Sequence, residues 1–144
     1  MTRFLGLDYG TIRIGLAISD QLGLTAQPLG YINAIDKENT ISKIRDLIEA
    51  WNVSTIVVGL PLNMNGSEGP AAEKVRKFGN HLASELGIPL VYMDERLTSK
   101  QAERILIDAD IRRIKRRGKK DSISAALVLQ TFLDANKNVI SNNL

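Results

Sequence analysis

Apolar positions recur along this chain at two different periods, and the change of period divides it. Residues 3–8 (RFLGLD) are a short apolar run ending in an acid, followed at once by the turn signal YGT. Residues 13–19 (RIGLAIS) form a second run with β-branched residues, closed by a turn over 20–23. A third extended segment is expected over 24–33. Pro28 lies inside it, and a residue without a backbone N–H suits an edge or a bulge better than a central strand. Three short strands joined by tight turns imply an antiparallel beginning.

The period then lengthens. Ile41, Ile44, Leu47, Ile48 and Trp51 stand at helical spacing with polar residues between them, which makes Trp51 a packing residue. Residues 54–61 (STIVVGLP) read as a strand covered on both faces with a Gly-Pro stop. The loop NMNGSEGP leads to a second helix, where Pro70 fits the first position. Val75, Phe78, Leu82 and Leu86 form its apolar stripe, Gly87 its stop, and His81 a surface position beside the stripe. Residues 88–93 (IPLVYM) make a fifth strand running into Asp94-Glu95-Arg96. Thr98 and Gln101 have capping-box spacing for a third helix reaching about Ala109. Asp121 opens a last helix, with Ile123, Ala126, Leu127, Gln130 and Leu133 drifting around one face. The order βββαβαβαα predicts an α/β fold: a mixed five-stranded sheet, three antiparallel strands then βα units, with helices on both faces. Residues 1–138 are expected to form a single domain, and residues 139–144 a frayed tail.

Composition narrows the chemistry. A chain of 144 residues, 44% hydrophobic, buries roughly two-thirds of its unfolded surface without covalent staples. With no cysteine and one histidine, disulfides, thiolate sites, cysteine nucleophiles and two-histidine zinc sites are excluded. No stretch approaches the ~20 apolar residues of a membrane span, and the first residues lack a signal-peptide layout. A soluble, cytoplasmic protein with no membrane partner is therefore expected. Reactive groups must come mainly from carboxylates, hydroxyls, Lys and Arg.

The net charge of +3 conceals an asymmetry. Residues 112–120 read RRIKRRGKK, seven basic residues in nine. Without them the chain keeps twelve Lys and Arg against sixteen Asp and Glu. One cationic strip on a mildly acidic body points to a polyanion, with nucleic acid the obvious candidate. A solvated helix end or a charged loop is the plainer reading, but the strip leads directly into Asp121.

Three acidic positions share a place in this topology: Asp8 ends strand one, Asp94 and Glu95 end strand five, and Asp121 begins the last helix. Functional groups in α/β folds gather beyond strand ends. Clustered carboxylates raise one another's proton affinity unless cations neutralise them, and such hard oxygen ligands suit Mg²⁺ or Mn²⁺. Two such ions can activate water and stabilise the leaving oxygen of a phosphodiester. Each acid also has a structural reading. Asp8 could serve the turn, although it follows a wholly uncharged strand; Asp121 could cap its helix. Asp94 and Glu95, adjacent on a strand, point to opposite faces, so one of the two is expected to join the cluster, and Arg96 could pair with either. Around these acids, Gly10, Thr11 and Arg13 sit in a tight turn that allows a backbone to approach phosphate, and Asn63 and Asn65 offer amides near a helix start. A glycine-bearing hairpin and a Gly/Pro-shaped loop are the corresponding structural readings.

The segments LGLDYGTIRIGLAISD (5–20), IVVGLPLNMNGSEGP (56–70), DERLTS (94–99) and KKDSISAALVLQ (119–130) resemble, in the same order, those of the YqgF (RuvX) family. That family has a ribonuclease H-like fold and is related to the Holliday junction resolvases. The resemblance implies a ribonuclease H-like βββαβαβ core with site acids at Asp8, Glu95 and Asp121, favouring Glu95 over Asp94. It implies a nuclease that helps mature the 5′ end of 16S ribosomal RNA. Asp8 would then bridge two metal ions, Mg²⁺ or Mn²⁺, with Glu95 and Asp121 each completing one side. Related sites commonly use four acids, whereas the last helix offers only Asp121 in its first three turns.

The leading expectation is thus a two-metal phosphodiesterase acting on structured RNA. Arg96, Lys115, Arg116, Arg117, Lys119 and Lys120 would lie along the substrate backbone. A ribosomal RNA precursor is the expected partner, together with the small ribosomal subunit, and the chain would act as a monomer or weak homodimer. Two rivals remain: a resolvase of four-way DNA, which needs paired sites and hence a stable dimer, and a non-catalytic RNA-binding assembly factor. Sugar-kinase and actin-like ATPase folds share the D-x-G-T turn but hold ATP between two such domains, and 144 residues provide one.

Overall fold

Side chains that alternate along a strand must be covered on both faces of the sheet, and the helices are distributed accordingly. The computed structural model describes residues 2–97 and 120–142, with backbone alone at 97, 120, 121 and 137–142. Its elements are β1 (Arg3–Tyr9), β2 (Arg13–Ser19), β3 (Ala26–Asn33), α1 (Lys37–Trp51), β4 (Val53–Leu60), α2 (Pro70–Leu86), β5 (Leu90–Asp94), a 3₁₀ turn (Glu95–Leu97) and α3 (Lys120–Asn142). The helix expected from Thr98 and the basic residues up to Lys119 lie outside the described residues.

The sheet order is β3-β2-β1-β4-β5, with β1 central. β1 pairs antiparallel with β2, and β2 with β3; β4 is parallel to β1, and β5 to β4. The mixed five-stranded sheet is as expected from the sequence. Pro28 proves to be in both of its favoured situations: β3 is an edge strand, and its register slips between Leu16↔Gly30 and Ala17↔Pro28, leaving Leu29 as an extra residue.

One face carries Leu5, Leu7, Ile14, Leu16, Ile56 and Val58 against Ile41 and Ile44 of α1 and Val75 and Leu82 of α2. A fully buried Leu or Ile of this kind contributes roughly 1.5–3 kcal/mol. α1 begins four residues before its first apolar position because Asp36 caps it, accepting from the Asn39 N–H at 3.3 Å. α2 starts at Pro70 and stops at Gly87, which takes the left-handed conformation (φ 65°).

The opposite face mixes small and large apolar residues. Ala17 and Val57 of the sheet meet Ala125, Ala126, Val128, Leu129 and Leu133 of α3. A methyl on Gly6 would stand 2.9 Å from Leu129 Cβ and 3.0 Å from the Ala125 carbonyl oxygen, so α3 lies almost on the β1 backbone. Of the expected face of α3, Ala126 and Leu133 are fully buried and Leu127 packs beside them; Ala125 and Leu129 extend the buried side, and Ile123 is only half-buried. Small residues at Gly6, Ala17, Ala125 and Ala126 allow this close approach, and Leu129 and Leu133 fill the space beside them. Gln130, assigned to the apolar drift, instead clamps the start of β3. Its side-chain oxygen accepts from Ala26 N–H (2.9 Å) and its amide donates to the Leu24 carbonyl (3.0 Å). α3 continues to Asn142, into the segment expected to fray as a tail.

Candidate active site

The parallel strands β1, β4 and β5 all finish at one edge of the sheet, and the two-residue period decides what each presents there. Leu5 and Leu7 face α1 and α2, so Asp8, like Gly6, faces α3. Leu7 pairs with Val58, which brings Asp8 beside Gly59 of β4; Gly59 in turn pairs with Met93 of β5. Glu95 follows two residues later, not on the strand as expected but in the 3₁₀ turn that ends it.

β1 and β5 stand two strand spacings apart, about 10 Å, and Gly59 occupies the interval. The Glu95 side chain fills the space a side chain there would need. A Cβ on Gly59 would lie 2.6 Å from Glu95 Oε1, 3.0 Å from Glu95 Cγ and 3.0 Å from Val128 Cγ2. Glu95 thus crosses β4 to share with Asp8 a cleft of about 220 Å³ also lined by Ser124, Leu127 and Val128 of α3. Two carboxylates and a hydroxyl form its polar part, and two aliphatic side chains its wall.

Asp121, the third expected ligand, lies in the first described turn of α3, one turn before Ser124. Its side chain is outside the described atoms. Among the described residues no group of three metal-ligating side chains is assembled. The oxygen donors of Asp8, Glu95 and Ser124 are nonetheless the hard type that suits Mg²⁺ or Mn²⁺.

Asp94 diverges from Glu95. It pairs with Leu60, a residue packed towards α1 and α2, and binds the Arg96 guanidinium at 2.8–3.2 Å. That guanidinium holds the Asp94 carboxyl below its usual value of 3.8. Arg96 also donates to the Met64 carbonyl (2.9 Å), tying the β4–α2 loop to the end of β5. Inside that loop, Asn63 Nδ2 donates to Ser67 Oγ (2.9 Å), and Asn65 Oδ1 accepts from Ser67 N–H (3.0 Å) and Oγ (2.6 Å). Asn63, Asn65 and Arg96 therefore shape and anchor this loop, on the edge where the acids lie.

In the β1–β2 turn, Gly10 is required because a Cβ would meet the Arg13 carbonyl oxygen at 2.5 Å. Arg13 stands over the Tyr31 ring, 5.2 Å from its centroid, on the β2 side of Asp8. Thr11 lines a different cavity, on the opposite face. Lys115, Arg116, Arg117 and Lys119 lie outside the described residues, and Lys120 begins α3. Sequence reasoning missed Ser124 and the role of Gly59. A lone glycine inside a buried strand is a signal of close approach, and Ser124 follows Asp121 at helical spacing.

The fold is shared with resolvases. Thermus thermophilus RuvC in complex with Holliday junction substrate superposes with a TM-score of 0.62 at 15% identity, over 95% of this chain and 96% of that one. The fowlpox virus Holliday junction resolvase gives 0.56 at 14% identity, over 93% and 99%. Sequence relatives are far closer. A protein of Endomicrobium trichonymphae named "Putative pre-16S rRNA nuclease" is 50% identical over 135 residues, 93% of this chain and 96% of its own. One of the same name from Geobacillus kaustophilus is 49% identical over 138 residues, 94% of this chain and 99% of its own. The family model described as "RuvX: Holliday junction resolvase" matches residues 2–135. With the model spanning nearly the whole length and half the residues shared with full-length relatives, the chain belongs to the RuvX (YqgF) family.

Proposed function

We propose that this chain is a metal-dependent nuclease that hydrolyses phosphodiester bonds in structured RNA, acting in 5′-end maturation of pre-16S ribosomal RNA. The observation that carries the reading is the meeting of Asp8 and Glu95 in one cleft, across a strand that keeps a glycine where they meet. The names of relatives at up to 50% identity support the substrate. Among the described residues no helix is long and apolar enough to cross a membrane, in keeping with a protein that acts on ribosomal RNA in the cytoplasm.

Asp8, Glu95 and Asp121 would hold the two Mg²⁺ or Mn²⁺ ions. When bound, such ions would make a coordinated water easier to deprotonate and stabilise the leaving oxygen. Asp8 lies on the central strand of the sheet, so its carboxylate would be held in a fixed place for such an ion. Glu95 closes the β5 side, and Leu127 and Val128 narrow the access of bulk water. In-line attack leaves a 5′-phosphate and a 3′-hydroxyl. Gly10, Thr11, Arg13, Asn63, Asn65 and Arg96 would border the substrate path. Lys115, Arg116, Arg117, Lys119 and Lys120 would hold the backbone. If these five each neutralise a phosphate, log K should fall with log salt at a slope of roughly −4.

The test is Asp8→Asn: loss of cleavage of a 16S precursor with Mg²⁺ or Mn²⁺, with RNA binding retained. Equal cleavage by wild type and variant would end the proposal. The family description favours one second reading, resolution of four-way DNA. The same proteins assayed on junction DNA separate the two, since symmetric cuts require a dimer with paired sites.

A further inference from the structure

On the face away from α3, the start of α1 and the middle of α2 leave a cavity of about 720 Å³ against the β1–β2 turn. That lies within the size range of small-ligand sites, about 300–1,000 Å³. Its composition is one-sided. Lys37, Lys74, Lys77 and His81 line it, and among the described residues no Asp or Glu does. Lys74, Lys77 and His81 follow one another at helical spacing, so they form a single cationic stripe along α2. Among the described residues none of the three lysines is in an ion pair. Of the two acids flanking Lys37, Asp36 is occupied in capping α1, and Glu38, like Glu73 beside Lys74, is not among the described residues that line the groove. Apart from residues 112–120 the chain has more acids than bases, so a groove lined by cations alone is not what its average surface supplies.

The floor is aromatic. Tyr9 and Phe78 pack with ring centroids 4.5 Å apart at 30°, and Ile14 and Ile41 lie beside them. A flat, apolar-faced group stacks on such a floor while lysines at the rim take a phosphate as point charges. A solvated lysine stripe alone would need no aromatic floor, and a core defect would not be ringed with charge.

We propose that this groove binds a nucleotide, with the base against Tyr9 and Phe78 and the phosphate on Lys37, Lys74 and Lys77. The end of β1 joins the groove to the acid cleft: Asp8 faces α3 and its neighbour Tyr9 faces the groove, one residue apart on opposite sides of the sheet. Thr11, in the turn between, lines the groove. An RNA strand crossing this rim would leave one nucleotide in the groove and present a nearby phosphodiester to Asp8. That placement rests on the nuclease reading; the binding itself does not.

The experiment is an amide chemical-shift titration of the full chain without divalent metal, using adenosine 5′-monophosphate, inorganic phosphate and a uridine heptamer. The monophosphate should shift Thr11, Lys37, Lys74, Lys77 and His81 together. Lys74→Gln/Lys77→Gln should weaken it roughly three- to tenfold, the loss of two exposed charge contacts. Its thermal midpoint, unchanged because both positions are exposed, checks folding. Much tighter binding of the heptamer at the same amides identifies a nucleotide of the RNA strand, and equal binding a free nucleotide; both support the site. Unmoved amides, phosphate binding as tightly as the monophosphate, or a double variant that binds like wild type would each overturn it. Failure of Asp8→Asn to abolish cleavage would remove the nuclease reading and leave this titration standing.

Discussion

Gly59→Ala isolates the contact on which the candidate site depends. The added methyl would meet Glu95 Oε1 at 2.6 Å, about 0.8 Å inside the 3.4 Å of ordinary contact, and Val128 Cγ2 at 3.0 Å. The backbone of Gly59 is not left-handed, so alanine introduces no torsional strain. Overpacking generally costs about 1–3 kcal/mol. Here the closest atom is the far end of a flexible side chain that can swing away, so about 1 kcal/mol is expected, roughly 3–5 °C in thermal midpoint for this size. The swing moves a carboxylate by nearly an ångström, and misplacement on that scale can reduce turnover about 10²-fold. Function should therefore suffer far more than stability. The assay pairs thermal unfolding with single-turnover cleavage of precursor RNA, and adds Glu95→Ala as background. Without the Glu95 side chain, Gly59→Ala should lose part of its stability penalty, leaving only the Val128 contact. Wild-type turnover in Gly59→Ala, or identical penalties in both backgrounds, would refute the crossing of Glu95 over β4.

Other perturbations follow from the same geometry. Gly6→Ala presses on the Ala125 carbonyl and Leu129 Cβ, which cannot rotate aside, so α3 must lift; a loss of about 1–3 kcal/mol is expected by denaturant titration. Ser124→Asp adds a carboxylate to the cleft and should tighten Mn²⁺ binding by calorimetry; unchanged affinity would separate Ser124 from the metal position. The Asp94 carboxyl has a lowered folded value, so its contribution is complete above its unfolded value of 3.8 and is lost as pH falls through the lower folded one. Hydrogen exchange at Gly66 and Ser67 should quicken over that window, modestly because the pair is exposed, and Arg96→Gln should abolish the pH dependence.

The strands and the first two helices were legible because their signals are local. Pro28 marked its own edge and bulge, Pro70 and Gly87 their own helix ends. Asp8 and the pair Asp94–Glu95 could be named as candidates from their places at strand ends; the choice of Glu95 over Asp94 came from the family resemblance. What the sequence could not show was how Asp8 and Glu95 meet. Glu95 reaches the cleft because β4 lies between β1 and β5 and lacks a side chain at Gly59, a fact of register between distant segments. The close approach of α3 was hidden for a related reason: it depends on Gly6, Ala17 and Ala125, whose importance lies in the volume they lack. The lysine groove joins residues from α1, α2 and a hairpin turn, and no one segment betrays it.

The cleft draws on β1, on the turn after β5 and on α3, the first and last elements in chain order. Its formation must therefore wait for the contacts of longest sequence separation, those with the largest loop-closure entropy and the slowest to form. A nascent chain that has completed the hairpin strands and even the parallel pairing of β1 with β4 still lacks one wall of the site. On the proposed reading of the cleft, hydrolytic competence would arrive only with the docking of α3 on Gly6, so that a partly made molecule, still beside the ribosomal RNA of the particle synthesising it, would have no blade to turn on it.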